Sequence, residues 1–202
     1  MPWETVYKPF VPLFNDGKRL SILAKEAADA GNQDEDTFAQ SAILLLVFAT
    51  EALINQVIED FTPLVEPLKA QLMKISLPEK FAYVPALCGG TVKQPFDPQV
   101  EPFKTFVAMV ATRHLWVHPK PKKLPVDEFL GGAPATSAFP RLPLHARAHH
   151  AERAVSTTKA IVEWLQSTMP DRVQKSWMGG APITWSDPRP PSGRKRGRKP
   201  RP

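Results

Sequence analysis

The stretch Ile43-Leu-Leu-Leu-Val-Phe-Ala49 leaves no polar position anywhere around a helical turn. A helix that is apolar on every side has no face suited to water, so it belongs at the centre of a bundle with other helices around it. The flanking sequence fits that role. Asp34-Glu-Asp places acidic side chains at the dipole-positive start of the helix, while Pro63 and Pro67 are expected to end it after about Phe61. The run Ala42–Ala49 alone is far too short to cross a bilayer, and no membrane role is expected of it.

Helices able to surround this centre can be read on both sides of it. From Gly17 onward, Leu20, Leu23, Ala24, Ala27 and Ala28 recur at helical spacing, and Gly31-Asn32 should stop that helix. A short helix is expected at about 77–87. Ser76 and Glu79 have capping-box spacing, and Pro78 sits in its first turn, where a missing N–H costs nothing. Asp97-Pro98 announces a third long helix, with Phe103, Phe106, Val107, Val110 and Val117 on one stripe, and Pro119 prevents it from passing His118. The last helix, at about 144–168, carries Ala148, Ala151, Val155, Thr158, Val162 and Leu165 as a single seam widened by Ile161 and Trp164. No alternating stretch supports a strand.

The expected architecture is therefore all-α: four main helices plus a short one, with a long crossover at 119–143 whose length suits a functional or mobile loop. Residues 1–16 are expected to form an irregular arm, 17–169 the helical domain, and 170–202 a proline-rich, basic, disordered tail. Cys88 is the single cysteine, so no intrachain disulfide is possible, and the N-terminus has neither a basic n-region nor a long apolar h-region. A reducing cytoplasm is the expected setting. With five histidines and that one cysteine no metal-ligand spacing arises, and neither metal nor other cofactor is expected.

Net charge is +6, but its location decides its meaning. Arg194, Lys195, Arg196, Arg198, Lys199 and Arg201 supply six positive charges, leaving 26 − 6 = 20 basic residues against 20 acidic ones in the body. Whole-domain charge therefore gives no reason to bind nucleic acid; only local patches can.

One local patch lies at the end of the third long helix. Arg113 and His118 bring a permanently charged fork of donors and a group that titrates near neutral pH to the same helix end. His114, which follows the arginine and stands four residues after Val110, is expected to turn toward the buried seam more than Arg113 does. Lys120, Lys122 and Lys123 extend the cationic character into the following loop, and the group could hold an RNA backbone. The alternative is ordinary helix-end electrostatics, which favour basic residues at a C-terminus. Glu51 closes the all-apolar run, where a carboxylate is out of character. It is either the first solvated residue of the emerging helix or a partner that orients Arg113 or His114 from a facing helix. His149 and His150 are adjacent on a helix, face different ways and cannot both join one site.

Arg113-His-Leu-Trp-Val-His118 resembles the Arg-x4–6-His signature of HEPN domains, and Phe48-Ala-Thr-Glu51-Ala-Leu-Ile-Asn55 is similar to a stretch found in the preceding long helix of many of them. The resemblance covers about residues 18–168 in helix order. It implies a helical bundle that forms a homodimer, bringing two such motifs into one cleft, and a metal-independent endoribonuclease of a toxin–antitoxin or phage-defence system. Arg113 and His118 would be catalytic, His114 would occupy a polar position that is often asparagine in the family, and Glu51 would match the helix-two carboxylate. RNA would be the substrate and an antitoxin or other protein a partner. The alternative within the family is a non-catalytic module that binds protein or nucleic acid. The tail Arg194-Lys-Arg-Gly-Arg-Lys-Pro-Arg201 partly resembles an AT-hook, with Lys199 interrupting the Gly-Arg-Pro core. Such a strand can enter a minor groove, contact phosphates of DNA or RNA nonspecifically, or simply keep the chain soluble.

Overall fold

A computed structural model describes residues 9–92, 94–117 and 146–171. Among these residues it contains six helices and no strand: α1 (Phe10–Asp29), α2 (Glu35–Phe61), α3 (Glu66–Leu72), α4 (Leu77–Leu87), α5 (Phe103–Val117) and α6 (Ala148–Thr168).

The all-apolar helix is the central one. α2 packs against all five other helices, most extensively against α1, then α6. Ala39, Ala42, Ile43, Leu46, Val47, Ala49, Leu53, Ile54, Val57 and Ile58 are buried along its length. The complete helix is long and apolar enough to cross a membrane by length and composition, unlike the run Ala42–Ala49 alone; more than half of its most apolar stretch is nevertheless buried inside the bundle. Leu44, Leu45 and Phe48 are only half-buried, so one stripe of α2 lies open beside Glu51 and Asn55.

α1 begins at Phe10, not at Gly17, so residues 10–16 are helical and not part of an irregular arm. Pro12 sits in the first turn, where it breaks no helical hydrogen bond, and Phe10 and Phe14 anchor that turn in the core. The buried line continues through Gly17, Ser21 and Ala24, a narrow face that brings the two helices close. A Cβ on Gly17 would lie 2.9 Å from Leu46 Cγ, so only glycine fits this crossing without displacement.

Pro67 does not merely end α2; it stands in the first turn of α3, a helix that the sequence pattern had left out. Seven residues with no buried side chain offer no periodic apolar signal. α4 follows its expected bounds, and its capping box is complete: Ser76 N donates to Glu79 Oε2 (2.9 Å), and Glu79 N to Ser76 Oγ (3.4 Å). Ser76 Oγ also donates to Glu79 Oε2, and this bond together with the one from Ser76 N holds the Glu79 carboxyl below its usual pKa. Phe81 carries α4 into an aromatic cluster, edge-on to Phe106 at 5.1 Å; Trp164 of α6 packs edge-on to Phe103 at 5.0 Å. Trp164 Nε1 also donates to Gln94 O (2.9 Å), securing the approach to α5.

The seam of α6 is as expected, with Ala148, Ala151, Thr158, Ile161, Val162, Trp164 and Leu165 all buried and Val155 half-buried. Its start is held from a distance. Glu35, the first residue of α2, accepts from Ala148 N (2.9 Å) and Arg147 Nη1 (3.0 Å), so the carboxylate expected to serve α2's own dipole instead satisfies the exposed N–H of α6. His150 is buried and its Nδ1 accepts from Arg147 N (3.0 Å), whereas His149 is exposed. The two differ in burial, but their ring centroids lie 3.9 Å apart, so the expectation that they face different ways is not met.

Candidate functional site

Three helices bring charged or amide side chains to one corner of the bundle. α2 contributes Phe48, Glu51 and Asn55, which lie on its half-buried stripe. α5 contributes Arg113, and α4 contributes Lys80. Arg113 Nη2 meets Glu51 Oε2 at 3.4 Å, with the two side chains 25 % and 34 % exposed. Its guanidinium carbon lies 5.2 Å from the centroid of the Phe48 ring, within cation–π range. The link foreseen between Glu51 and the third long helix thus exists, and its partner is Arg113.

This contact is loose for an arginine–carboxylate pair. Charge-assisted hydrogen bonds of this kind are typically about 2.7–2.9 Å and often bidentate. Here a single nitrogen is engaged at 3.4 Å, and Nε of Arg113 is buried with no acceptor among the described residues. Trp116 Nε1, one turn further along α5, is likewise buried without an acceptor there. A partly exposed ion pair of this kind adds at most about 1 kcal/mol to stability.

The stripe of α5 differs from the expected one in a way that changes which motif residue faces inward. Phe103, Phe106, Met109 and Thr112 are buried, while Val107 and Val110 are half-buried and Val117 is exposed. Arg113 continues the Phe106–Met109 line, so it points toward α2, and His114 is turned outward and exposed. The expectation that His114 faces the seam more than Arg113 is therefore reversed: counting Val110 and Val117 as core had rotated the face. His118, Lys120, Lys122, Lys123, Arg194, Lys195, Arg196, Arg198, Lys199 and Arg201 lie outside the described residues, His118 directly after the last residue of α5.

Lys80 was not singled out from the sequence. It is only 3 % exposed, and its Nζ donates to Asn55 Oδ1 at 2.8 Å. Burial pushes its pKa down from the ordinary lysine value, and the Glu51 carboxylate acts in the opposite direction. The signal was present: Lys80 falls between Leu77, Phe81 and Val84, on the very stripe that docks α4.

Elsewhere, a shallow groove of about 600 Å³ runs beside Glu101, His149, Arg153 and Ser156, at the opposite end of α5. Its main charges are mutually satisfied, since Arg153 Nη2 meets Glu101 Oε1 at 2.9 Å and Thr105 Oγ1 at 3.2 Å. No group of three or more metal-ligating side chains occurs among the described residues. Comparisons with protein-family profiles, with curated proteins and with solved structures find no match to this chain.

Proposed function

We propose that this protein is a metal-independent endoribonuclease of HEPN type, acting as a homodimer, with Arg113 and His118 as its catalytic pair. The observation that supports this most is the state of Arg113: a permanently charged guanidinium, held over Phe48 and touched by Glu51 at one nitrogen, with a buried Nε that no described residue satisfies. The Nε is buried, but the side chain as a whole is 25 % exposed, and its terminal nitrogens are the donors offered to the oxygens of a phosphodiester. His118 follows at the helix end and carries a group able to take and return a proton near neutral pH.

In the proposed reaction His118 removes the proton of a ribose 2′-OH, and that oxygen attacks the adjacent phosphorus. Arg113 stabilises the negative charge of the phosphorane. The bond from phosphorus to the 5′-oxygen then breaks, and that oxygen leaves as a hydroxyl after taking up a proton. The products are a 2′,3′-cyclic phosphate and a 5′-OH end. DNA lacks the nucleophile and should not be cut. An antitoxin or another protein would be the natural restraint on such an activity, and the basic tail would add nonspecific affinity for nucleic acid.

The Arg113–Glu51 contact also favours a second reading, in which the pair joins α5 to α2 and the protein is a non-catalytic HEPN-like binding module. A single assay separates them. Wild-type protein should cleave single-stranded RNA but not its DNA counterpart, should do so in EDTA, and should leave cyclic phosphate ends. Arg113→Ala and His118→Ala should each lower the rate by roughly a hundredfold or more. RNA cleavage unaffected by either substitution would refute the mechanism, and retained RNA binding without cleavage would favour the binding module.

A further inference from the structure

The backbone donors at the start of α6 are satisfied by two different groups. Ala148 N donates to Glu35 of α2 (2.9 Å), and Arg147 N donates to the imidazole of His150 (3.0 Å). In a capping box the acceptor three residues on from the N-cap is ordinarily glutamate or glutamine. Here histidine stands in that place, while Arg147 at the N-cap has no side-chain acceptor to complete the box. The acceptor is therefore one that titrates near neutral pH.

A backbone N–H can only donate, so Nδ1 of His150 must carry its lone pair, and the ring is neutral with its proton on Nε2. A proton added at Nδ1 sets donor against donor and breaks the bond. The residue is only 7 % exposed, so little water is at hand to replace what is lost. Two further features oppose the charge. It would stand at the dipole-positive end of α6, and its ring lies 3.9 Å from that of His149, a second group able to become positive. The neighbouring carboxylates are engaged elsewhere: Glu35 with Arg147 and Ala148, and Asp36 with Arg147 at 3.7 Å. Lys25 of α1 pairs with Glu152 (3.4 Å), and Arg153 with Glu101 at the approach to α5 (2.9 Å).

We propose that His150 makes the start of α6 acid-sensitive: neutral, its imidazole caps the first turn; protonated, it releases that turn and lets it fray. The device is independent of the role assigned to Arg113. Ala146 and Ala148, both buried on the bundle, are the residues it keeps in place. The folded chain favours the neutral ring, whereas a histidine in an unfolded chain takes up a proton near about pH 6.5. The contribution is therefore complete above that value and is lost as pH falls below it.

The test follows hydrogen exchange at the Arg147 and Ala148 amides of the full-length protein by NMR, corrected for the intrinsic exchange rate. Protection should fall roughly tenfold between about pH 7.5 and about pH 5.5. His150→Gln keeps an acceptor that does not titrate and should hold protection constant over the same range. His149→Gln should leave the wild-type fall in place. Wild-type protection that ignores pH overturns the proposal, as does a fall that persists in His150→Gln or vanishes in His149→Gln. The nitrogen chemical shifts of the His150 ring give a second readout that needs no variant. Nδ1 should be unprotonated at neutral pH and should take its proton at a lower pH than a histidine of the urea-unfolded chain. A proton on Nδ1 at neutral pH, or titration at or above the unfolded value, overturns it equally.

Discussion

The α1–α2 contact and the corner where α2 meets α4 and α5 involve the same central helix but are built on opposite terms. Against α1, α2 offers Ala42 and Leu46 to Gly17, and the helices approach until there is no space for another carbon. At the corner, α2 offers Glu51 and Asn55 to a buried lysine and a half-buried arginine, with donors left unsatisfied. The first arrangement can hardly be improved for stability. The second could be, by apolar side chains of similar volume. A bundle already held by the first contact can tolerate polar groups at the second, and that is where a site is to be expected.

The largest expected effect breaks this comparison if it fails. Leu46 is fully buried, and Leu46→Ala should cost roughly 2–5 kcal/mol in denaturant unfolding. Glu51→Gln, tested the same way, should cost no more than about 1 kcal/mol. Equal losses would mean that the corner supports the fold as much as the close contact does.

A smaller effect sharpens the picture by testing what holds α4 in position. A Cβ on Gly90 would fall 2.1 Å from the backbone oxygen of Thr168 at the end of α6. A backbone oxygen cannot swing aside as a side chain can, so Gly90→Ala should destabilise by roughly 1–3 kcal/mol and shift the α4 amide resonances around Lys80. Unchanged resonances there would detach α4 placement from this contact.

The smallest effect concerns the other end of α5. Burial alone would raise the Glu101 pKa, but the hydrogen bond from Thr105 and the Arg153 guanidinium outweigh it and hold the carboxyl below 4.5. A carboxyl lowered in the folded state contributes stability above its unfolded pKa and loses it as pH falls through the folded value. Since both side chains are about half exposed, screening keeps the contribution small. Arg153→Met should lower stability slightly at neutral pH and leave it unchanged below the folded value, so the acid loss flattens; an equal loss at both pH values would count against the pairing.

Much of the fold was legible because its strongest signals are local. An all-apolar run has one place to go, a capping box marks a helix start, and the α6 seam repeats over several turns. What escaped depended on context. Pro67 was read as a break because a proline in a first turn and a proline after a last turn look alike until neighbouring helices are in place, and residues 10–16 lacked a sustained period. α3 has no fully buried side chain, so it left no pattern. In α5 the valines blurred the face that Phe103, Phe106 and Met109 define, and His114 was turned the wrong way. The Glu51–Arg113 pair was legible as one of two options, since a carboxylate at the end of an apolar run needs either water or a partner. Lys80 was overlooked because a lysine among apolar residues looks like a surface residue until its stripe is traced.

Glu35 has a further consequence for how the chain reaches this structure. Its contacts with Arg147 and Ala148 join residues 112 and 113 positions apart, whereas α1 and α2 are joined by a short turn at Gly31. The helical hairpin can therefore form as soon as it leaves the ribosome, but the carboxylate must wait for most of the protein to be made. At ordinary elongation rates that wait is roughly 5–20 s. Throughout it, the surface of the hairpin that α6 will cover faces solvent, and the newborn chain is at its most vulnerable to aggregation in the interval between its second helix and its last.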